Sequence, residues 1–161
     1  MAGKGTGSGG PEGRIEGASI LIIEARYYED IAEELLAGAV AEIEAAGARY
    51  ERIAVPGALE IPQVLAMTGD AVFEFDGVVA LGCVIRGETS HYDIVVNNAN
   101  HWLYEAAEET GLPVGNAILT VDTKEQALAR ARGGRDGKGG DAARACLRLI
   151  EIRRQFEERV T

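Results

Sequence analysis

The chain holds two cysteines in 161 residues, Cys83 inside an apolar run and Cys146 in a helical pattern. Neither spacing builds a disulfide framework or a zinc site, so a reducing compartment, the cytoplasm, is the expectation. Long hydrophobic runs are also missing. Nothing approaches the roughly 18 consecutive apolar residues of a membrane span, and the first residues lack the apolar segment of an export signal. Positive charge is in short supply, with 16 Lys and Arg against 26 Asp and Glu and a formal net charge of −10. A field of that sign repels phosphodiester backbones and anionic bilayers, which sets aside nucleic-acid and membrane-surface roles. An anionic small substrate would need a local cationic pocket, for which Arg86, Arg130 and Lys138 are candidates. Histidine is limited to His91 and His101. On one helix they lie about 15 Å apart and cannot share a metal ion. No Gly-x-Gly-x-x-Gly follows the first apolar run and no Walker-type loop occurs, so dinucleotide and nucleoside-triphosphate binding lose their main support. The sequence shows no internal repeat.

What is present reads as one α/β domain. Met1 to about Gly17 is glycine-rich and too poor in apolar area to offset its ordering entropy, which predicts a flexible tail ahead of a single domain over 18–161. Ile20-Leu21-Ile22-Ile23 is a short β-branched run typical of a strand buried on both faces. Ile31, Leu35, Ala39 and Ile43 share one face of a helix from Asp30 to Ala46, stopped by Gly47. Ile53 to Val55 reads as a strand, Ile61 to Met67 as a short helix, and Gly77 to Ile85 as a strongly apolar strand. Ser90 with Asp93 suggests a capping box opening a helix to Thr110, with Ile94, Val95, Ala99, Trp102 and Ala106 as its apolar stripe. Gly111 to Pro113 ends it. Val114 to Thr120 is a fourth strand, and Thr123 to Gln126 caps a helix through Arg130. Gly133 to Gly140 reads as a basic glycine loop, and Ala142 to Arg159 as a closing helix with Cys146, Leu149, Ile150 and Phe156 inward. Strand and helix alternating four times implies a parallel sheet covered by helices on both faces, with ligands bound beyond the carboxyl ends of the strands.

Three strand-to-helix junctions carry the chemistry. Gly82 to His91 breaks from an apolar run into a glycine turn and a helix start, which brings an imidazole together with bare backbone N–H groups suited to an anion such as phosphate. Val55 to Pro62 offers the carboxylate of Glu60, and Leu119 to Gln126 leads on to Arg130. On sequence order all three belong to one rim of the sheet. Tyr27, after the first strand, can stack on a planar ligand. Each residue also has a plain structural reading: a helix-start histidine, a solvated carboxylate, a helix-end arginine balancing carbonyls, a packed turn tyrosine. Cys83 as a nucleophile with His91 as base is weaker, because a cysteine within an apolar strand is usually a small hydrophobe.

Taken together, Val55 to Pro62, Val84-Ile85-Arg86-Gly87-Glu88-Thr89-Ser90-His91-Tyr92-Asp93 and Ile118 to Arg130 resemble lumazine synthase, over about Ser19 to Glu158. The resemblance implies a flavodoxin-like three-layer α/β sandwich with a four-stranded parallel sheet. The implied reaction condenses 5-amino-6-(D-ribitylamino)pyrimidinedione with 3,4-dihydroxy-2-butanone 4-phosphate to 6,7-dimethyl-8-ribityllumazine, phosphate and water, in riboflavin biosynthesis, without cofactor or metal. It makes His91 the proton-transfer residue, and Arg130 with the Glu88-Thr89 backbone the phosphate grip, Lys138 lying nearby. Ala58, Leu59 and Glu60 become the ribityl and amine contacts, while Cys83, Val84 and Ile85 line the pyrimidine under Tyr27. It further implies homopentamers, in some members twelve forming an icosahedral shell, with Asn116 and Arg130 entering each site from a neighbour. Asn116 departs from the pattern, since several members carry an aromatic there. Two other readings compete: a non-catalytic flavin or lumazine binder or shell-forming paralogue, and a flavodoxin-type FMN carrier. The pairing of His91 with Arg130 argues against the first. The segment Glu24-Ala25-Arg26-Tyr27-Tyr28, with no Ser/Thr-rich phosphate loop, argues against the second.

Overall fold

The computed structural model describes residues 9–69 and 74–160. Four parallel strands, β1 (Ser19–Ala25), β2 (Arg49–Val55), β3 (Gly77–Ile85) and β4 (Val114–Val121), lie in the order β2-β1-β3-β4. The helices are α1 (Glu29–Ala45), α2 (Ile61–Met67), α3 (His91–Thr110), α4 (Lys124–Ala131) and α5 (Lys138–Val160). Because successive side chains of a strand alternate faces, β1 divides its isoleucines between two cores. Ile20 and Ile22 meet α1, α4 and α5 through Leu35, Ala127 and Leu147. Leu21 and Ile23 meet α2 and α3 through Leu65, Ala99 and Leu103. This is the three-layer α/β sandwich the sequence predicts. The chain passes from β1 to β2 on one side and then to β3 on the other, so its switch point lies beyond the carboxyl ends of β1 and β3.

Several expectations need correction. The part of the glycine-rich segment that is described, residues 9–17, contacts the domain: Ile15 is buried in the α1/α5 core and its N–H donates to the Ala46 carbonyl at 2.7 Å. Residues 1–8 lie outside the described residues. β2 begins four residues earlier than its apolar end suggests, since Arg49 to Arg52 pair with β1 along an edge that stays exposed. The α3 stripe is narrower than predicted: Ala99, Leu103 and Ala106 are buried, whereas Ile94 and Trp102 are exposed. Leu149 and Phe156 likewise point outward on α5. Asp93 does not complete a capping box, because Ser90 has a near-zero ψ and makes no side-chain cap bond. The box at Thr123 and Gln126 forms in both directions.

The predicted glycine loop over 133–140 is instead a tight 3-10 turn at Gly134–Asp136 followed by the first turn of α5. A side chain at Gly139 would meet the Leu35 carbonyl oxygen at 1.9 Å, and one at Gly38 would meet that of Gly134 at 2.4 Å. The glycines permit close backbone approach between α1 and α5. The turn is then held by Glu42 of α1, buried, whose Oε1 accepts from Arg135 Nε at 2.9 Å and Arg144 Nη1 at 2.6 Å.

Candidate functional site

The carboxyl ends of β1, β2 and β3 bring together most of the predicted residues. At the end of β1, Tyr27 is three-quarters exposed, its ring in edge contact with Tyr28 at 4.9 Å. Beyond β2, a Pro-Gly turn leads into a 3-10 turn at Ala58–Glu60, in which Ala58 is buried in the α2/α3 core while Leu59 and Glu60 are half-buried. Cys83, Val84 and Ile85 are the last residues of β3 and are half-buried where the upstream ones are fully buried, so the strand emerges from the core there. Glu88 and Thr89 are exposed in the corner between β3 and α3, and Thr89 Oγ1 accepts from the His91 N–H at 3.3 Å. His91 is the first residue of α3 and is exposed. Gly87 has only open space where a side chain would project, which leaves the backbone of this corner accessible.

Arg86, one of three candidate cations, is already engaged. It donates from Nε to Asp122 Oδ1 at 2.9 Å, lies 3.8 Å from Asp93, and stacks over the Tyr92 ring at 4.3 Å. It fastens the end of β3 to the end of β4 rather than standing ready for a substrate anion. Cys83 is no better placed as a nucleophile, since burial pushes its thiol up to about 11 and keeps it protonated at neutral pH.

The other two cations lie elsewhere. Asn116, Thr120, Arg130, Lys138, Asp141 and Ala142 line a cavity of about 340 Å³ along the outer edge of β4. Asn116 pairs with Ala80 in the sheet, whereas the rim residues Cys83 to Ile85 pair with Leu119 to Val121. Five residues at about 3.3 Å each set Asn116 back roughly 16 Å from the end of its strand. Arg130 lies six residues into α4, about 9 Å past its start, with Nη1 bonded to the Gln126 carbonyl at 3.1 Å. The single rim expected to unite Glu60, His91 and Arg130 is therefore two separate surfaces of the chain. An imidazole and a carboxylate occupy the first; two cations and the N-terminus of α5, with its partial positive charge, occupy the second.

The residues around Asn116 had no sequence signal. Its amide Nδ2 donates to Asn100 Oδ1 at 2.9 Å and to the Tyr104 hydroxyl at 3.2 Å, while its Oδ1 accepts from the Ile118 N–H at 2.9 Å. As β4 is an edge strand, that N–H has no neighbouring strand to bond, and Asn116 satisfies it locally. Tyr104 thus places an aromatic ring beside the position where the family pattern would have one. Asp141 was also missed; it lies 3.5 Å from Lys138 Nζ and bonds Arg144.

Residues 17–154 match the family model described as 6,7-dimethyl-8-ribityllumazine synthase. Curated proteins of that name are similar over nearly the whole chain. That of Methylorubrum populi is 54% identical over 144 residues, covering 87% of this chain and 85% of its own. That of Nitrobacter hamburgensis is 49% identical over 146 residues, covering 88% and 90%. That of Azorhizobium caulinodans is 49% identical over 156 residues, covering 94% of each. With the predicted order of motifs, the three-layer fold and this extent of similarity in agreement, the chain belongs to the 6,7-dimethyl-8-ribityllumazine synthase family.

Proposed function

We infer that the chain condenses 5-amino-6-(D-ribitylamino)pyrimidinedione with 3,4-dihydroxy-2-butanone 4-phosphate, releasing phosphate and water, at a site completed between two copies of itself. The observation that carries the shared site is the division of its residues between two surfaces, with His91 at the β3 rim and Arg130 and Lys138 at the β4 edge. Neither surface alone pairs a proton-transfer group with an anion grip. A head-to-tail ring would bring the β4 edge of one copy against the rim of the next and close after a fixed number of copies, five in the reading favoured here. Large exposed apolar side chains on α3 and α5, Ile94, Trp102, Leu149 and Phe156, fit a surface covered by further copies. No helix among the described residues is long and apolar enough to cross a membrane.

In this reading the pyrimidine lies on Cys83 to Ile85 with Tyr27 stacked over it, and its ribityl chain runs along Ala58 to Glu60. The phosphate sits against the uncovered Glu88-Thr89 backbone and is gripped by Arg130 and Lys138 of the adjacent copy, near the N-terminus of that copy's α5. The substrate amine is itself the nucleophile, so no activated serine, cysteine or lysine is required. Amine attack on the ketone, phosphate elimination and ring closure each move protons near neutrality, which an imidazole at His91 can relay. Positioning supplies most of the acceleration, because effective molarities of about 10⁵–10⁸ M exceed the 10²–10⁴-fold available from acid–base catalysis.

The test mixes two crippled variants. His91→Ala and Arg130→Ala chains, unfolded and refolded together in equal amounts, should regain activity above the sum of the two alone. With random assembly about one site in four contains both intact side chains. No recovery in well-formed mixed oligomers would mean that each site lies within one chain.

A further inference from the structure

Glu24 is a carboxylate that the proposed chemistry does not use, yet it is the penultimate residue of β1, three residues before Tyr27, and pairs with Leu81 of β3, with only 2% of its surface exposed. A buried carboxylate is costly unless paired and hydrogen-bonded. Glu24 has two partners, one just beyond β1 and one in β2. Its Oε1 accepts from Arg26 Nη1 at 2.6 Å, and its Oε2 accepts from Arg52 Nε of β2 at 2.9 Å. Arg26 in turn directs three further donors to α1: Nε and Nη2 reach Glu29 Oε2 at 3.1 and 2.7 Å, and Nη2 also bonds Glu33. Its guanidinium is thereby committed to three carboxylates and is not free to hold a substrate phosphate.

The consequence falls on residue 27. Arg26 is bonded back to the end of β1 and forward to the first two turns of α1, so the short link Arg26 to Tyr28 is tied on both sides of Tyr27. The Tyr27 ring itself projects into solvent, where an aromatic side chain on a floppy link would lose entropy on stacking.

We propose that Glu24 is a positioning residue which, through Arg26, holds Tyr27 ready to stack on the pyrimidine, and that Arg52 completes this clamp. The proposal rests on the pyrimidine reading of the rim and adds the residues that set its stacking face. The substrate requirement follows from the chemistry: a planar ring is what a pinned tyrosine face recognises by stacking, and the phosphate half-site on the β4 edge is untouched by this network.

The experiment compares the parent chain with Glu24→Gln, Tyr27→Ala and the double variant, first confirming that the parent forms 6,7-dimethyl-8-ribityllumazine. Glu24→Gln should raise KM for the pyrimidine by about three- to tenfold, the range expected of one aromatic contact, and leave inhibition by inorganic phosphate unchanged. Tyr27→Ala should do the same, and the double variant should be no worse than Tyr27→Ala alone, because both changes remove one contact. Glu24→Asp should recover less than the parent and more than Glu24→Gln. Should Glu24→Gln fail to fold, Arg26→Lys, which keeps the charge and loses the fork, should give the same selective KM change. Additive effects, an unchanged pyrimidine KM, or equal weakening of phosphate inhibition would overturn the clamp. A parent that makes no lumazine would instead overturn the function proposed for the chain.

Discussion

Arg86 Nε donates to Asp122 Oδ1 at 2.9 Å, so the residue after β3 grips the residue after β4. The Arg86 N–H adds a bond to the Val121 carbonyl at 2.9 Å. Both side chains are about half exposed, and solvent screens such pairs so that they contribute little. Arg86→Ala should therefore leave KM for the phosphate substrate within about twofold of the parent. Arg130→Ala should raise it about tenfold to a hundredfold by removing a charge-assisted grip. Steady-state kinetics with the phosphate substrate varied would decide it; equal effects would put Arg86 in the anion site.

His91 separates positioning from proton transfer. His91→Ala should cut turnover by about 10²–10⁴-fold while lumazine formation stays above the uncatalysed background. The check is product absorbance at saturating concentrations of both substrates. Complete loss in a folded, assembled variant would mean that the imidazole carries more than the proposed mechanism gives it.

The sheet was legible because its buried strands are written in apolar runs. Ile20 to Ile23 and Gly77 to Ile85 face helices on both sides, so nothing polar interrupts them. β2 shows only its end, Ile53 to Val55, in the apolar pattern for the opposite reason: Arg49, Glu51 and Arg52 lie on an exposed edge where polar side chains are tolerated. On α3, periodicity alone cannot tell Leu103, which meets α2 and the sheet, from Trp102, which does not. At the site, residue types were legible and their surfaces were not. Arg130 follows a strand end in sequence, but the direction of α4 carries it back toward the cavity beside Asn116.

Two glycines read alike in sequence and should respond oppositely to a methyl group. Gly87→Ala enters open space and should change stability by less than about 0.5 kcal/mol. Gly139→Ala drives a carbon to 1.9 Å from the Leu35 carbonyl oxygen and should cost about 3 kcal/mol, since backbone rather than a side chain must give way. Urea unfolding at fixed protein concentration tests both. A neutral Gly139→Ala would show that α5 is not seated against α1.

Glu42 anchors the same turn. Glu42→Ala takes one carboxylate from Arg144, three-quarters buried, which keeps Asp141 and the Arg135 carbonyl, and leaves Arg135, more than half exposed, without its ion pair to Glu42. The cost should be about 2 kcal/mol, below the 3–5 kcal/mol of a fully buried pair because Arg135 can turn to water. The expected readout is a lower thermal midpoint with unaltered pyrimidine KM.

Alkaline pH should destabilise the chain through its thiols. Burial pushes Cys146 up to about 12 and Cys83 up to about 11, and burial also raises the Tyr28 hydroxyl. An unfolded thiol ionises near about 8.5, so above that pH the unfolded chain sheds protons that the folded chain keeps. The contribution is fully present below about 8.5 and is lost as pH climbs toward the folded values, with a limiting slope of about 1.4 kcal/mol per pH unit for the fully buried Cys146. Cys146→Ala should be less stable at pH 7 because a packed sulfur is gone, yet its stability should fall less steeply between pH 8.5 and 10.5. Parallel slopes in denaturant titrations of parent and variant would place the alkaline sensitivity elsewhere.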